Sequence, residues 1–337
     1  MAKTYNHLFD KALTFSALLE AHKKARRGKR FRSEVIRFEM DLEGNLLALA
    51  RELKTGTYKP SGYDEFYVYE PKKRLIRAAP YRDRVVHQWY VINFIKPIYS
   101  PRFIFDSYAC LDNKGMHKAT ERVQTFLRFA EKRSESPYIV KADVKKFFFN
   151  VDHATLFNIL ARKITDEKVL WLTKIILDSV DDPGIPVGSY TSQFFANVYL
   201  HELDMYIKHS LKIRMYVRYM DDFIMVVPDK EMAQEVLRNV REFVSDKLKL
   251  ELNGKTQIFP VKNGVNFCGY KIKSTHMKIR TESKRRIKHK LRKFKVKFRQ
   301  RRMKPEQIRM VLNSWMGYAK KADSYNLIHY ILKNYTF

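Results

Sequence analysis

Residues Arg218-Tyr-Met-Asp-Asp-Phe-Ile-Met-Val-Val227 set two adjacent carboxylates between apolar stretches. Ile213–Val227 reads as a β-hairpin with Tyr219-Met-Asp-Asp222 at its tip. Aspartate is depleted in strands, and two side by side repel one another. A plain turn is one reading, since Asp is a common turn residue. Gly or Asn is the usual tip residue, however, and aromatic Tyr219 and Phe223 flank the pair. A bound divalent cation is the other reading, because carboxylate oxygens are natural ligands of Mg²⁺.

Upstream, Lys141-Ala-Asp-Val-Lys-Lys-Phe-Phe-Phe-Asn-Val-Asp152 carries a third acid. Asp143 ends the apolar run that starts at Tyr138, where a carboxylate is costly unless paired or metal-bound. An acid at a strand end and an acid pair at a hairpin tip, about 80 residues later, can face one another across a sheet. Together they can hold two metal ions roughly 4 Å apart, one activating a 3′-hydroxyl and one stabilising a leaving pyrophosphate.

The charge balance agrees with a nucleic-acid partner. Lys and Arg total 66 against 36 Asp and Glu over 337 residues, a net charge of +30. So large a charge repels itself unless a polyanion offsets it. A passively basic protein of ribosomal type is the competing interpretation. An anionic membrane surface fits less well, because the basic residues are spread along the chain rather than set beside an apolar anchor. No stretch approaches the ~20 apolar residues of a membrane span. The first residues show no signal-peptide pattern, so a cytoplasmic location is expected. Cys110 and Cys268 lack CxxC spacing, which leaves no Cys-based zinc site of the usual kind and no disulfide framework.

Periodicity predicts helices over residues 1–55, breaking at Gly28, and over 81–99, 115–132, 154–180, 191–209 and 231–248. An extended hairpin is expected between Tyr58 and Ala79, and strands at Tyr138–Val144 and Val265–Ile272. From about Lys278 the chain reads as densely basic helix, with Phe294, Val296 and Phe298 packing it. The basic run His22–Arg32 reads either as a solvated helix end or as a phosphate contact. Strands embedded among helices without regular βα alternation predict an α+β protein.

Tyr219-Met-Asp-Asp222 resembles the catalytic box of reverse transcriptases, and Asp143 to Phe148 resembles their first palm motif. The resemblance implies a right-hand polymerase fold, with an N-terminal extension and fingers over 1–137, a palm over 138–272 and a basic helical thumb over 273–337. It assigns two Mg²⁺ ions, for which Mn²⁺ can substitute, to Asp143, Val144, Asp221 and Asp222. It makes Phe148 the gate that excludes a 2′-hydroxyl, with core packing as the alternative; Phe147 and Phe149 read as core. Val144 joins Phe148 at the nucleotide.

Gly184-Ile-Pro-Val-Gly-Ser-Tyr-Thr-Ser-Gln-Phe-Phe-Ala-Asn-Val-Tyr-Leu200 is similar to the family's template- and nucleotide-binding segment. A glycine at position 188 lets backbone approach a base pair, and the Ser192-Gln193 step opens a helix. The resemblance places Val187, Gly188 and Gln193 at the nucleotide, and Ser192, Tyr219 and Met220 at primer and template. Pro71-Lys-Lys-Arg-Leu-Ile-Arg77 and Asp83-Arg-Val-Val86 resemble the fingers segment, so Lys72, Arg74 and Arg77 become triphosphate contacts, or else an exposed basic hairpin. Leu250-Glu-Leu-Asn-Gly-Lys-Thr256 points to Lys255 as the group that protonates pyrophosphate, a surface lysine being the alternative. Phe267-Cys-Gly-Tyr270 resembles the primer grip, implicating Gly269 and Tyr270. Lys284, Lys288 and Arg292 are assigned to the primer–template duplex, which is read through backbone and shape.

Pro186-Val-Gly-x-x-x-Ser-Gln193, with Ser107-Tyr-Ala-Cys-Leu-Asp-Asn-Lys-Gly-Met-His-Lys118, resembles the reverse transcriptases of diversity-generating retroelements. Those enzymes copy a template-repeat RNA and misincorporate opposite adenine. The resemblance implies a template RNA, primer or cDNA and dNTPs, plus a small basic accessory protein (the accessory variability determinant) in a complex that can be oligomeric. Other bacterial reverse transcriptases, of group II intron or antiphage type, and a catalytically idle RNA-binding scaffold remain the alternatives.

Overall fold

Asp41, Asp152 and Asp166 begin three helices by accepting backbone N–H groups of the first turn on their carboxylates. These helices belong to the first of two units into which the computed structural model divides the chain. It comprises residues up to Phe105, Val144–Ser210 and Asn239–Gly254. The structure describes residues 3–69 and 73–335.

In this unit, helices Phe15–Ala25, Ser33–Met40 and Leu42–Thr55 precede a two-stranded antiparallel hairpin. Its strands are β1 (Asp64–Val68) and β2 (Arg74–Ala78), with Phe66 opposite Ile76. The helix Tyr81–Tyr90 then buries Val85, Val86, Trp89 and Tyr90. Asp166 also accepts the N–H groups of Leu8 and Phe9, so one carboxylate ties the N-terminal segment to the helix it caps. The helix Tyr190–Met205 is buried on most sides, polar Thr191, Asn197 and Asp204 included, and packs Phe194, Phe195, Tyr199 and Leu203 into the interior.

The second unit comprises Asp106–Asp143, Leu211–Arg238 and residues from Lys255 onward. The segments interleave, whereas the sequence reading cuts the chain into three consecutive pieces, because strands far apart in sequence pair with one another. β3 (Tyr138–Asp143), β4 (Tyr216–Tyr219), β5 (Asp222–Val227) and β6 (Gln257–Pro260) form one antiparallel sheet in the order β4-β5-β3-β6. Ile139, Val217, Ile224 and Val226 on one face join Ala119, Val123 and Leu127 of the helix Met116–Arg133 in a buried cluster. β6 has no counterpart in the sequence reading.

The expected single strand Val265–Ile272 is a hairpin. β7 (Val265–Phe267) and β8 (Tyr270–Ile272) are joined at Cys268 and Gly269, whose φ angles are 45° and 86°. β9 (Met277–Ile279) completes a three-stranded sheet where a helix was expected, and the helix begins at Thr281. Helices Thr281–Arg299, Pro305–Ala319 and Tyr325–Asn334 share a small core of Ile287, Leu291, Phe294, Ile308 and Ile331. Phe298 packs against that core, but Val296 does not: it is 55% exposed, because it falls off the stripe 287, 291, 294, 298.

Gly269 is fixed by its surroundings as well as by its φ. A Cβ there would lie 2.7 Å from the Tyr318 hydroxyl, which donates to the Gly269 carbonyl at 2.6 Å. Gly269→Ala is expected to destabilise the chain by about 2–3 kcal/mol, read from urea unfolding. In a double-mutant cycle, combination with Tyr318→Phe should cost less than the sum of the two singles. Strict additivity would show that the hydroxyl is not what restricts the glycine.

Candidate active site

Asp143 stands opposite Asp222 in the β3–β5 register, and Tyr219 stands opposite Asp222 in the β4–β5 register. Directly opposed residues of an antiparallel pair carry their side chains on one face, with Cβ atoms about 5 Å apart. Tyr219, Asp222 and Asp143 therefore form a row across three strands. Met220 and Asp221 are the two residues of the connecting turn. Met220 takes φ 56°, a value more usual for glycine in such turns. The guanidinium of Arg218, wholly buried, donates to the Met220 carbonyl at 3.1 Å.

Lys141 lies two residues before Asp143 and hence on the same face, with Nζ 3.6 Å from Asp222 Oδ1. The Asp222 side chain keeps 30% of its exposure, but Oδ1 itself is sealed from solvent and has no hydrogen-bond partner. Burial pushes the Asp222 pKa up to about 7; the Lys141 ammonium opposes the rise, and the Asp143 and Asp221 carboxylates add to it. Three acids within electrostatic reach and a stranded carboxylate oxygen fit a divalent cation. Among the described residues, no three His, Cys, Asp or Glu side chains are already gathered into a metal cage. Mg²⁺ does not require one, since it commonly takes one or two carboxylates and completes its shell with water and substrate phosphates. Val144 is 1% exposed and apolar, so only its main-chain carbonyl is available as a ligand.

The remaining expected site residues divide between the units. In the second, Lys255 is exposed at a turn. Tyr270 is fully buried and donates to the Tyr318 carbonyl at 2.8 Å, so it supports β8 and presents no contact surface. Lys284, Lys288 and Arg292 recur every fourth residue along one side of their helix; the Lys288 ammonium sits over the Tyr330 ring at 4.3 Å.

In the first unit, the Arg77 backbone N–H donates to the Val187 carbonyl at 3.3 Å, joining β2 to the Gly-containing turn. The Arg77 guanidinium pairs with Glu65 and Asp181, while Arg74 is exposed. Lys72 lies outside the described residues. Gly188 has φ 106°, and a Cβ on it would meet Ile76 at 3.2 Å, so the hairpin itself explains the glycine. Gln193 is half-buried, but Ser192 is 1% exposed and its Oγ has no partner, which closes it to a template strand in this conformation. Phe147 is core and half-buried Phe148 contacts it edge-on at 5.4 Å. Phe149, expected in the core, is 48% exposed. Sequence reasoning passed over Lys141 and Arg218; a cation inside an apolar strand beside each acid motif was the signal for both.

The sheet thus carries an acid row beside a turn residue in the left-handed region, an arrangement able to hold divalent ions. Residues 60–272 match the family described as reverse transcriptase (RNA-dependent DNA polymerase), and the chain belongs to that family. It is 25% identical to the group II intron-encoded protein LtrA of Lactococcus lactis subsp. cremoris, over 68% of this chain and 50% of that protein. It is 26% identical to protein YkfC of Escherichia coli K12, over 67% of this chain and 71% of that one. The chain thus spans about half the length of the Lactococcus relative. The fold is similar to Candida tropicalis telomerase solved with a fragment of telomeric RNA: TM-score 0.50, 13% identity, 69% of this chain and 48% of that one. The α+β polymerase fold is therefore as expected. Among the described residues no helix is long and apolar enough to cross a membrane.

The raised pKa of Asp222 makes a stability prediction. The folded residue holds its proton up to about pH 7, against an ordinary value of 3.8, so between these the folded chain binds more protons. Stability of the metal-free chain should fall as pH rises through that window. Asp222→Asn should remove this dependence and stabilise the chain above pH 7 by on the order of 1–3 kcal/mol, with little effect at pH 4. Urea unfolding in EDTA at both pH values checks it; an equal change at the two would count against the burial argument.

Proposed function

We propose that the chain is an RNA-directed DNA polymerase whose nucleotidyl transfer is centred on Asp143, Asp221 and Asp222. The observation that carries this reading is the placement of Asp143 directly opposite Asp222 beside the Met220–Asp221 turn. Those carboxylates would hold two divalent ions, Mg²⁺ or in its place Mn²⁺, with the Val144 carbonyl as a further ligand. When bound, such ions activate the primer 3′-hydroxyl and offset the charge of the departing pyrophosphate. Lys141, 3.6 Å from Asp222, holds part of the carboxylate charge in check before substrate arrives. Lys255 donates the proton to pyrophosphate in this reading. The family assignments of Phe148 as sugar gate, of Val187, Gly188 and Gln193 at the incoming nucleotide, and of Lys72, Arg74 and Arg77 at its phosphates belong to the same proposal. So do those of Gly269, Lys284, Lys288 and Arg292 at primer and template. The net charge of +30 suits an RNA–DNA hybrid held through its backbone.

The narrower proposal is an enzyme of the diversity-generating class, acting in the cytoplasm with a template-repeat RNA and a small basic accessory protein. Val187 supports it: an apolar side chain at this turn grips the nucleotide without hydrogen bonds that discriminate among bases. The likeness to LtrA favours a second reading, an intron-type reverse transcriptase copying without adenine bias.

Primer extension on an RNA template with Mg²⁺, with and without the accessory protein, tests the general claim. Extension should fall by a factor on the order of a thousand or more in Asp221→Ala or Asp222→Ala. Persistence of extension in both variants would refute it. Sequencing cDNA copied from a template of balanced composition tests the class. Errors should concentrate at template adenines and decline in Val187→Gln; an even spread over the four bases would favour the intron-type reading.

A further inference from the structure

His153 opens the nine-residue helix His153–Ala161, and its imidazole takes no part in the site described above. The residue is 7% exposed, and its Nε2 lies 2.5 Å from the Gly184 carbonyl oxygen. A carbonyl can only accept, so Nε2 carries the hydrogen and donates. Gly184 is buried where the Gly-containing turn begins, and its N–H donates to the Val151 carbonyl at 2.9 Å. The segment 148–153 therefore meets both backbone polar groups of Gly184.

Two more bonds join the same segments. The Ile185 N–H donates to the Phe148 carbonyl at 2.7 Å, and the His153 N–H donates to Asp182 Oδ1 at 3.2 Å. The backbone of Phe148 and the backbone leading to Val187 thus form one hydrogen-bonded layer within the first unit. Beyond Ile185 the anchoring is thinner. The Val187 carbonyl accepts the Arg77 N–H at 3.3 Å, longer than the usual value of about 2.9 Å. Without the imidazole the buried Gly184 carbonyl would lose its donor, a state that backbone avoids by shifting. That shift would reach Val187 and Phe148 together.

We propose that His153 is a positioning residue for nucleotide selection: its Nε2–H holds the Gly184–Gly188 turn against the Phe148 segment, so sugar choice and base choice share one support. The inference rests on the polymerase reading, which sets Phe148 at the sugar and Val187 at the base. His153 acts through Gly184 and touches no reacting group in this account. The acid row is held instead by the β3–β5 register, in which His153 has no part. Loss of the imidazole should therefore loosen selection of the nucleotide and leave the transfer step largely intact. A small displacement is enough, since about 1 Å of misplacement can cost on the order of a hundredfold.

The test compares wild type with His153→Leu and His153→Met, which lack a donor, and with His153→Gln, whose amide can donate in place of the ring. A donor-free variant whose far-UV spectrum departs from wild type is set aside for the other. Single-nucleotide extension of a primer on an RNA template gives KM and kcat for the matched dNTP, its ribonucleotide and a mismatched dNTP. In the donor-free variants KM for the matched dNTP should rise about tenfold while kcat stays within about threefold. Preference over the ribonucleotide and over the mismatch should each fall by roughly fivefold or more, and His153→Gln should recover both. Unchanged selectivity, a fall in only one of the two, or equal losses in His153→Gln would overturn the proposal. Amide hydrogen exchange on the same proteins needs no catalysis. Exchange over residues 184–190 should quicken in the donor-free variants and not in His153→Gln; unchanged exchange would overturn the positioning role. A wild type that fails to extend primers would refute the polymerase reading, and exchange then decides alone whether His153 holds the turn.

Discussion

The antiparallel pairing of β3 with β5 is the constraint on which the site depends. It sets Asp143 opposite Asp222 at one end while burying Ile139 against Val226 further along the same face. Because side chains alternate with a period of two, a one-residue slip of β3 would expose its apolar set and turn Asp143 to the face opposite Asp222. The register is thus held by the hydrophobic cluster, and the acids occupy the one stretch of the sheet where that cluster gives way to Lys141 and solvent. Folding energy and site geometry come from the same pairing.

The acids are not comfortable where this pairing puts them. Asp222 Oδ1 is sealed from water with no hydrogen bond, and burial raises its pKa despite the Lys141 ammonium 3.6 Å away. Met220 holds a left-handed conformation, and a buried arginine secures its carbonyl. Strain and desolvation of this kind survive only where the surrounding structure enforces them, and they cluster at functional sites. A cation among the carboxylates would relieve the electrostatic part, so binding and stability should be linked at this hairpin.

Much of this was legible in the sequence. Strand periodicity and the acid positions yielded β3, β4, β5 and the facing carboxylates, and apolar periodicity yielded most helices. What escaped has identifiable physical causes. The Val265–Ile272 run hid a hairpin because its turn is Cys268-Gly269, and the reason for glycine is Tyr318, distant in sequence. β9 was masked by the lysines around it. Val296 and Phe149 are apolar but lie off the buried stripe, which no composition count reveals. Tyr270 and Ser192 looked like contact residues from their motifs, yet long-range packing buries both.

The central claim is that Asp143, Asp221 and Asp222 act as one divalent-ion site. Mn²⁺ binding, followed by electron paramagnetic resonance on the full chain with an RNA–DNA hybrid ending in a dideoxy primer and the next dNTP, addresses it most directly. The account predicts two bound ions per chain, lost in Asp143→Asn and retained in Asp181→Asn, a surface acid outside the row. Unchanged Mn²⁺ binding in Asp143→Asn would contradict it.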